Sequence, residues 1–538
     1  TLTVDWYYGK QTILTNVLAN QKLLLRESEG IEKKNINKEI STNYLFSQIE
    51  SIFDYVHKEN EFVDFDRDRL IYHMKSTEGP KMSLGDVNND NLRDFYIGGA
   101  KGYSGVLMVQ NSAGHFSKTN TAVFEKDKDS EDLTSVFLDV DNDGDQDLYV
   151  TSGGNEMSAN SFALADRLYI NDGNGNFSRS SEILPAGKLE STSTVQVSDF
   201  DQDGDLDLFV GVRLKSNLIG VSQNGYLLEN DGSGQFNNCT QKVAPELLDV
   251  GMITDASWAD YDQDGDDDLI IVGEWMKIRV FNNTNGSFTE TTNIAGLGNT
   301  GGWWNAIESA DLDGDGDLDF IVGNHGLNSR FSASQDKPIS CYINDFDQNG
   351  TAEQIVCVYN GDTAYPFVLR HDLVMQLPML KKKYLKYESY KGQTINDIFT
   401  SEELEKSEIH QVTMLESVSL INQGDGTFKI QKLPQEAQLS PIYAILIEDL
   451  DNDDKKDVLL GGNLYEVKPE IGRYDASYGT FLKGTGSGDF QAIPTKQTGF
   501  FLEGQVRDFK LLQINGKRIL IVVRNNESVQ FFDILNLK

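Results

Sequence analysis

The sequence predicts an all-β fold, a β-propeller built from four-stranded blades. An Asp-rich loop recurs along the chain, and each copy lies between an alternating strand-like segment and a short apolar run. A Gly-rich hairpin that ends in Phe forms the second half of most repeats. The first five acidic loops begin 53, 60, 61 and 51 residues apart. Four short strands in a repeat of this length are typical of a propeller blade.

Composition agrees with a turn-rich protein that holds cations at fixed positions. The chain has 538 residues, 48 Gly, 10 Pro and a formal charge of −37, and much of the acid lies in the short loops. Such a charge disfavours nucleic acid and anionic membranes as partners. No apolar run is long enough for a transmembrane helix. Because Thr1 is not an initiator residue, we expect the natural chain to begin upstream, so the lack of a signal peptide does not exclude export.

The acidic loops have the pattern D-x-D-x-D-G-x-x-D, and the chain carries seven of them. We number them one to seven by their first residues, Asp86, Asp139, Asp199, Asp260, Asp311, Asp345 and Asp449. As such a loop bends, the side chains at positions one, three and five converge on one point. The residue at position seven offers its backbone carbonyl, and the carboxylate at position nine completes the coordination shell of a cation. Oxygen-only donors select a hard cation, and this many carboxylates favour calcium over magnesium.

The predicted ligands of about six or seven calcium ions follow from that pattern. They are Asp86, Asn88, Asp90 and Asp94; Asp139, Asp141, Asp143, Asp145 and Asp147; Asp199, Asp201, Asp203, Asp205 and Asp207; Asp260, Asp262, Asp264, Asp266 and Asp268; Asp311, Asp313, Asp315, Asp317 and Asp319; Asp345, Asp347, Asn349, Thr351 and Glu353; and Asp449, Asp451, Asp453, Lys455 and Asp457.

Two other interpretations of these loops were weighed. An EF-hand needs Glu at position twelve and flanking helices, whereas here the last carboxylate stands at position nine and β-formers follow. An acidic turn without metal is a reasonable reading of one loop but a poor one of seven in register, because packed carboxylates repel each other. Segment Asp64–Tyr72 begins like the motif, but with Arg69 at the bend it is interpreted as an ordinary strand.

The Gly-rich hairpins supply the third and fourth strands of a repeat. Asn and Gly tolerate the positive φ values of tight hairpins, and the final Phe is expected to pack between sheets. The copies are Asn111–Phe116, Asn171–Phe177, Asn230–Phe236, Asn282–Phe288, Asn422–Phe428 and Gly484–Phe490.

The repeat becomes irregular after loop five, which makes the blade count uncertain between eight and seven, with eight favoured. Only 34 residues separate Asp311 from Asp345, so loop six is expected to replace the last hairpin of blade five. Residues 371–408 are predicted to be a helical insertion at the first turn of blade six. Three strands at the C-terminus need a fourth, which residues 61–74 are expected to supply.

These loops and hairpins closely resemble the FG-GAP/VCBS repeat family, which includes the propeller of integrin α-subunits, over residues 61–538. Residues 1–30 resemble the end of an ASPIC/UnbV domain, although Asp5–Gly9 has Tyr where that family has Pro. Residues 31–60 are predicted to be a linker. The combination is similar to bacterial proteins related to cartilage acidic protein. That resemblance implies a lipid-anchored protein on the bacterial outer-membrane surface, with protein partners such as a nutrient-uptake complex, and no catalytic residues.

Trp303 and Trp304 are the candidate ligand contacts outside the acidic loops. Exposed at a propeller rim they could stack on a sugar, while packing between blades is the alternative. Cys341 and Cys357 flank loop six symmetrically and are expected to be cross-strand neighbours, either as a disulfide or as thiols. Lys381, Lys382 and Lys383 begin a basic and aromatic stretch that either docks a partner or is a solvated face.

Three functions remain open at the level of sequence. The favoured one is a calcium-stabilised binding or assembly scaffold on the cell surface. The alternatives are a glycan-binding module and a polysaccharide lyase or hydrolase. No HExxH, GxSxG or P-loop motif is present, so we expect no enzyme.

Overall fold

The computed structural model describes residues 2–5, 10–18, 21–32, 44–182, 184–185 and 187–535. They form two compact units, Thr1–Tyr44 and Leu45–Lys538. The first contains an antiparallel sheet of β1 (Leu2–Asp5), β2 (Lys10–Leu14) and β3 (Ile31–Glu32) in that order. The turn Trp6–Gly9 and residue Asn20, which carry part of the ASPIC/UnbV resemblance, lie outside the described residues.

The second unit begins with β4 (Phe46–Ile49) and α1 (Asp64–Arg67) and continues with three regular antiparallel sheets. Blade one has β5 (Met82–Gly85), β6 (Asp94–Ile97), β7 (Val106–Gln110) and β8 (Phe116–Thr119), followed by α2 (Thr121–Phe124). Blade two has β9 (Asp132–Leu138), β10 (Asp147–Ser152), β11 (Arg167–Ile170) and β12 (Ser178–Arg179). Blade three has β13 (Ser191–Ser198), β14 (Asp207–Leu214), β15 (Gly225–Asn230) and β16 (Phe236–Asn238), followed by α3 (Thr240–Val243).

Blades four and five are elaborated. Blade four has β17 (Met252–Ala259), β18 (Asp268–Met276), β19 (Arg279–Thr284) and β20 (Ser287–Glu290), with β21 (Gly302–Trp303) paired to β18. Blade five starts with β22 (Ala306–Ala310) and β23 (Asp319–Gly323). The chain then forms an inserted sheet of β24 (Ile339–Asn344), β25 (Glu353–Asn360), β26 (Thr363–Pro366) and β27 (Glu408–Val412). It returns to blade five with β28 (Val418–Asn422) and β29 (Phe428–Lys432).

Blades six and seven complete the chain. Blade six has β30 (Ile442–Glu448), β31 (Asp457–Gly462), β32 (Thr480–Gly484) and β33 (Phe490–Ile493), followed by α8 (Thr495–Thr498). Blade seven has β34 (Gln505–Ile514), β35 (Lys517–Asn525) and β36 (Gln530–Ile534). Its fourth strand is β4, from the start of the unit.

The first strands of the seven blades lie side by side and close a ring. Each of β5, β9, β13, β17, β22, β30 and β34 contacts the next, and β34 contacts β5. The second strand of blades one to six is buried along its whole length, because neighbouring sheets cover both of its faces. The sequence shows this as the apolar runs that follow the acidic loops. The all-β propeller is therefore confirmed.

Of the two predicted blade counts, the structure has seven in the described residues, not the favoured eight. The inserted sheet interrupts blade five between β23 and β28, and loop six joins its strands β24 and β25. The hairpin Asn422–Phe428 still connects β28 to β29, so loop six does not replace it. The predicted number of blades was too high because the inserted sheet repeats the strand–acidic loop–strand pattern of a blade but is not part of the ring.

The predicted helical insertion belongs to this inserted sheet rather than to blade six. Helices α4 (Arg370–Gln376), α5 (Tyr387–Tyr390), α6 (Ile395–Ile398) and α7 (Ser401–Glu405) lie between β26 and β27. At the start of α7, Thr400 and Glu403 form a reciprocal capping box. No helix in the described ranges is long and apolar enough to cross a membrane.

The closing strand comes from the segment predicted to be a linker, not from residues 61–74. Phe46 pairs with Ile534 and Ile49 with Phe531, and the side chain of Phe46 is buried among aromatic rings of blades six and seven. The propeller unit thus begins at Leu45 rather than residue 61. The sequence showed no alternation here strong enough to mark a strand.

Segment Asp64–Tyr72 is not the ordinary strand that was predicted. Asp64 begins helix α1 and is fully buried, where it accepts hydrogen bonds from Ser76 Oγ at 2.5 Å and Asn155 Nδ2 at 2.6 Å. The chain that follows enters the centre of the ring. Strand residues of blades two, three, four, six and seven, with His73 and Glu78, line a central cavity of about 50 Å³.

Candidate metal centres

Each acidic loop joins the first two strands of a sheet, as the sequence predicted for every loop except loop six. Loops one to five lie in blades one to five, loop seven in blade six, and loop six in the inserted sheet. Blade seven instead has a short turn at Asn515 and Gly516 between β34 and β35. Every predicted set of ligands therefore lies on one continuous loop held at both ends by paired strands.

The first aspartate of each loop organises its turn. In loop two, Asp139 accepts hydrogen bonds from the N–H groups of Asp143 at 3.2 Å and Gly144 at 3.0 Å. The N–H of the sixth residue donates to the first carboxylate in all seven loops. That residue has a positive φ in each, with Asn91 and Asp454 replacing the usual Gly. The predicted bend at position six is confirmed.

The fourth residue of each loop has a role that the sequence reasoning missed. It also has a positive φ in all seven loops, as the residues Asn89, Asn142, Gln202, Gln263, Gly314, Gln348 and Asn452. Its side-chain amide reaches the next loop in three cases, from Asn142 to Asp205, from Gln202 to Asp266 and from Gln263 to Asp317. The recurrence of Asn, Gln and Gly at this position was the available signal.

The ninth residue ties each loop to its sheet. Asp147 is fully buried and accepts hydrogen bonds from the N–H groups of Val140 at 3.1 Å and Asn171, on the third-strand side, at 2.7 Å. Burial raises the pKa of Asp147 to about 7, and burial likewise raises the pKa of Asp268 to about 8. The fold therefore holds a carboxylate at this position at an electrostatic cost that a nearby cation would offset.

The carboxylates of individual loops converge closely enough to share one ion. Groups of three have ligand oxygens within 4.8 Å of one another. They include Asp139, Asp141 and Asp147; Asp199, Asp201 and Asp203; Asp260, Asp262 and Asp268; Asp311, Asp313 and Asp315; and Asp345, Asp347 and Glu353. Each group could hold a metal ion.

Several of these oxygens are buried without a hydrogen-bond partner. They include Oδ1 of Asp141, Asp199 and Asp347. Burial, together with the charges of Asp143 and Asp139, raises the pKa of Asp141. Buried polar atoms are normally satisfied, so partnerless carboxylate oxygens beside further carboxylates fit a hard cation. The residues present thus match an oxygen-coordinated ion in both donor type and unmet bonding capacity.

The Gly-rich hairpins hold the acidic loop of the preceding blade. The Nδ2 atom of Asn230, in blade three, donates to the carbonyl of Val140 in loop two at 2.9 Å. Asn171, Asn283 and Asn422 make the same contact with loops one, three and four. Phe177, Phe288 and Phe428 are buried between sheets, as expected. The hairpins therefore fix the position of each loop relative to its neighbour.

Trp303 and Trp304 are not exposed at a rim, so their prediction as ligand contacts is wrong. Trp304 is fully buried, and Trp303 is 6% exposed. The Trp304 Nε1–H donates to the carbonyl of Thr300 at 2.9 Å, and Trp303 packs at a right angle to Phe331 with ring centroids 5.0 Å apart. Trp303 lies inside the protein because its strand, β21, pairs with β18 of blade four.

Cys341 and Cys357 are free, buried thiols rather than a disulfide. The register pairs Cys341 with Val356 and Ser340 with Cys357. The two cysteines are therefore offset by one residue and point to opposite faces of the sheet. The equal distances of the two cysteines from loop six were misleading. Asn344 pairs with Glu353, so the register is shifted by one residue from the one that would pair Cys341 with Cys357.

A comparison with protein families agrees with the repeat. The FG-GAP-like repeat model matches residues 139–210 and 260–322, which contain loops two to five. The chain thus carries FG-GAP-like repeats, although the matched ranges span less than half of it. No curated protein matches the chain.

Solved structures resemble the chain at low identity. The BBS1N–ARL6DN complex soaked with mercury shares 10% identity, with 92% of this chain and 99% of that chain covered and a TM-score of 0.40. Sqt1 of Saccharomyces cerevisiae shares 11% identity, with 90% of this chain and 100% of that chain covered and a TM-score of 0.40. The exotype rhamnogalacturonan lyase YesX shares 11% identity, with 92% of this chain and 76% of that chain covered and a TM-score of 0.38. Likenesses at this level carry no conclusion about function.

Proposed function

We propose that the protein is a binding scaffold of the cell surface whose propeller is stabilised by calcium in its acidic loops. The observation that carries this proposal is the convergence of three carboxylate oxygens within 4.8 Å in loop after loop. In each loop, side chains one, three, five and nine and the carbonyl of residue seven would hold the ion. Calcium suits this flexible, all-oxygen donor set better than magnesium does.

Calcium would act here chiefly on stability. Clustered carboxylates repel one another, and a divalent ion replaces that repulsion with attraction. An ion present at ten times its dissociation constant stabilises the folded state by about 1.4 kcal/mol. Several loops distributed around the ring would together contribute several kcal/mol, which is comparable with the whole stability of a typical domain.

Thermal unfolding with calcium and with EDTA tests the proposal. We expect a large drop of the melting temperature in EDTA, reversed by added calcium but not by equal magnesium. Asp141→Asn, which neutralises one carboxylate of loop two, should reduce the calcium-dependent part of the shift. Asp172→Asn is the matched control, because Asp172 is exposed in a hairpin and lies outside the acidic loops. Equal melting temperatures in calcium and EDTA would refute calcium stabilisation.

The outer surface of the inserted helices is the proposed partner-binding surface. Met375, Leu385 and Tyr387 are 55%, 72% and 53% exposed there, beside the exposed Lys381–Lys383. A mixed basic and apolar surface on a chain of charge −37 fits a protein partner with an acidic, apolar face. The other residues of the aromatic stretch are structural, since Tyr384 is buried and the Tyr390 hydroxyl donates to the carbonyl of Val368.

Cross-linking on intact cells tests this surface. Replacing Lys381, Lys382 and Lys383 together by Glu should abolish a specific cross-linked product. Lys429→Glu, at an exposed position of β29, should leave that product unchanged. Equal cross-linking by both variants would exclude this surface as the contact.

The cell-surface location is supported by chemistry and by the resemblance to exported repeat proteins. Calcium is abundant outside cells, where extracellular modules bind it with dissociation constants of about 10⁻⁴ to 10⁻³ M. We propose that the protein is a lipid-anchored member of a nutrient-uptake type of assembly on the bacterial outer membrane. Protease treatment of intact cells tests this, since a surface protein is digested without lysis and a protein inside the cell is not.

A cleft beside blade four favours glycan binding as the second candidate. It has a volume of about 600 Å³ between blade four and the inserted sheet, and its lining includes Trp275, Arg279, Asn299 and Gln411. Aromatic and amide side chains together are suited to sugar rings and hydroxyls. Glycan-array binding that is lost in Asn299→Ala with Gln411→Ala would support this candidate, and equal binding by that double variant would exclude the cleft.

A further inference from the structure

Loop seven differs from the other acidic loops because a lysine side chain lies against its carboxylates. The Nζ atom of Lys483, on β32, lies 2.8 Å from Oδ2 of Asp453 and also contacts Oδ2 of Asp451. Asp451 and Asp453 are the third and fifth residues of the loop, two of its predicted ligands. Across the described residues, no other acidic-loop carboxylate is paired with a basic side chain in an ion pair.

The residue equivalent to Lys483 can be identified in blades one to five. In each of these blades, as in blade six, the residue that follows it donates a backbone N–H hydrogen bond to the carboxylate at position nine of the acidic loop. Gly484 donates its N–H to Asp457 at 2.9 Å. Gln110, Asn171, Asn230, Asn283 and Asn422 make the corresponding bond in blades one to five. The residues equivalent to Lys483 are therefore Val109, Ile170, Glu229, Asn282 and Ile421.

Side chains at this position face the third residue of the loop. In blade four, Asn282 Nδ2 donates to Oδ2 of Asp262 at 2.6 Å. Lys483 makes the same approach to Asp451. Blades four and six thus place the residue at this position beside the third carboxylate.

The surroundings of loop seven are basic in further respects. Arg518 Nη2, in blade seven, donates to the carbonyl of Asp449 at 2.8 Å. Lys455 occupies position seven, where the other loops have Asp, Thr or Leu. An ammonium offers three donors to the oxygens that a metal would otherwise bind.

We propose that Lys483 supplies the cation of loop seven, so that this loop takes no calcium while loops one to six do. The type of residue at the position of Lys483 and its equivalents would then determine whether the acidic loop of that blade binds metal. Val, Ile or Asn at this position leaves the carboxylates to an external ion, and Lys satisfies them from within the chain. This inference rests on the proposed calcium binding of the other loops.

Counting bound calcium by native mass spectrometry tests the inference on the whole chain. The wild-type protein should bind six ions. Asp449→Asn should still bind six, whereas Asp311→Asn, the matched change in loop five, should bind five. Lys483→Ile, which copies Ile421, should bind seven, and the reciprocal Ile421→Lys should bind five. If Lys483→Ile fails to fold, Lys483→Gln also removes the positive charge and should likewise bind seven ions.

The outcomes separate this inference from the proposed function. If the wild-type protein binds calcium and Asp449→Asn loses one ion, loop seven is a metal site and the role of Lys483 is wrong, while calcium binding stands. If the Lys483 variants gain no ion, Lys483 does not control the site. A wild-type count of zero overturns the proposed function and this inference with it.

Discussion

The Nδ2 atom of Asn142 donates to Oδ1 of Asp205 at 2.6 Å, which joins the acidic loop of blade two to that of blade three. Gln202 repeats the contact with Asp266 one blade further on. Because Asp205 stands at position seven, where only the backbone carbonyl would face a bound ion, its side chain remains available for this link. The acidic loops therefore form a connected chain along part of the ring rather than separate sites.

The first prediction concerns that link. In a double-mutant cycle, Asn142→Gly and Asp205→Ala should show a coupling of about 0.5–1 kcal/mol in the free energy of unfolding. Gly suits the positive φ of Asn142, and loop five has Gly314 at the same position. The pair is exposed, so we expect the coupling to shrink at high salt. Urea unfolding at two salt concentrations measures it, and additive effects at low salt would show that the link contributes nothing.

The second prediction concerns closure of the ring by β4. Phe46 is 1% exposed and packs against Phe500 and Phe481, with ring centroids 4.9 and 5.7 Å away. Phe46→Ala should lower the free energy of unfolding by about 3–5 kcal/mol through the cavity it leaves. Gln48→Ala, at an exposed position of the same strand, should have little effect. Equal stabilities of the two variants would show that β4 does not close the propeller.

The third prediction is a pH dependence that arises from His57. Its side chain is 2% exposed, and burial lowers its pKa from 6.5 to about 3. The folded protein holds this imidazole neutral while the unfolded chain protonates it, so stability is lost as the pH falls from about 6.5 towards 3. The loss should reach about 2 kcal/mol at pH 5.

His57→Asn isolates that contribution. An Asn side chain can still accept the hydrogen bond that Asn526 N–H donates to His57 Nδ1 at 3.2 Å. Urea unfolding at pH 7, 6 and 5, in the same calcium concentration, should show a shallower decline for the variant than for the wild-type protein. Parallel declines would mean that His57 is protonated equally in both states.

The fourth prediction concerns the cysteines. The register places Cys341 and Cys357 on opposite faces of the inserted sheet, and Cys239 is also buried. Thiol titration without reductant should detect three thiols in denaturant and almost none in the native protein. One thiol in denaturant would instead indicate a disulfide and a different register.

The sequence was sufficient for the local chemistry and for the class of fold. The loops could be predicted because their spacing depends on contacts within nine residues, such as Asp139 with Gly144. Carboxylate nine could be placed for the same reason, although its hydrogen bond with the third strand, as between Asp147 and Asn171, is a tertiary contact that spacing does not report.

The failures came from contacts between distant parts of the chain. The inserted sheet copies the local pattern of a blade, and only the pairing of β23 with β28 shows that it lies outside the ring. Phe46 can be recognised as part of the closing strand only from its pairing with β36, which lies at the other end of the chain. Trp303 is turned inward by pairing of β21 with β18, and Lys483 reaches Asp451 from a strand 26 residues beyond the loop.

Anomalous diffraction from crystals grown in calcium tests the central claim most directly. At a wavelength where calcium scatters anomalously, we predict one peak within each of loops one to six, between the first, third, fifth and ninth side chains. We predict none beside Lys483 in loop seven. A well-ordered propeller with saturating calcium and no peaks in these loops would contradict the account.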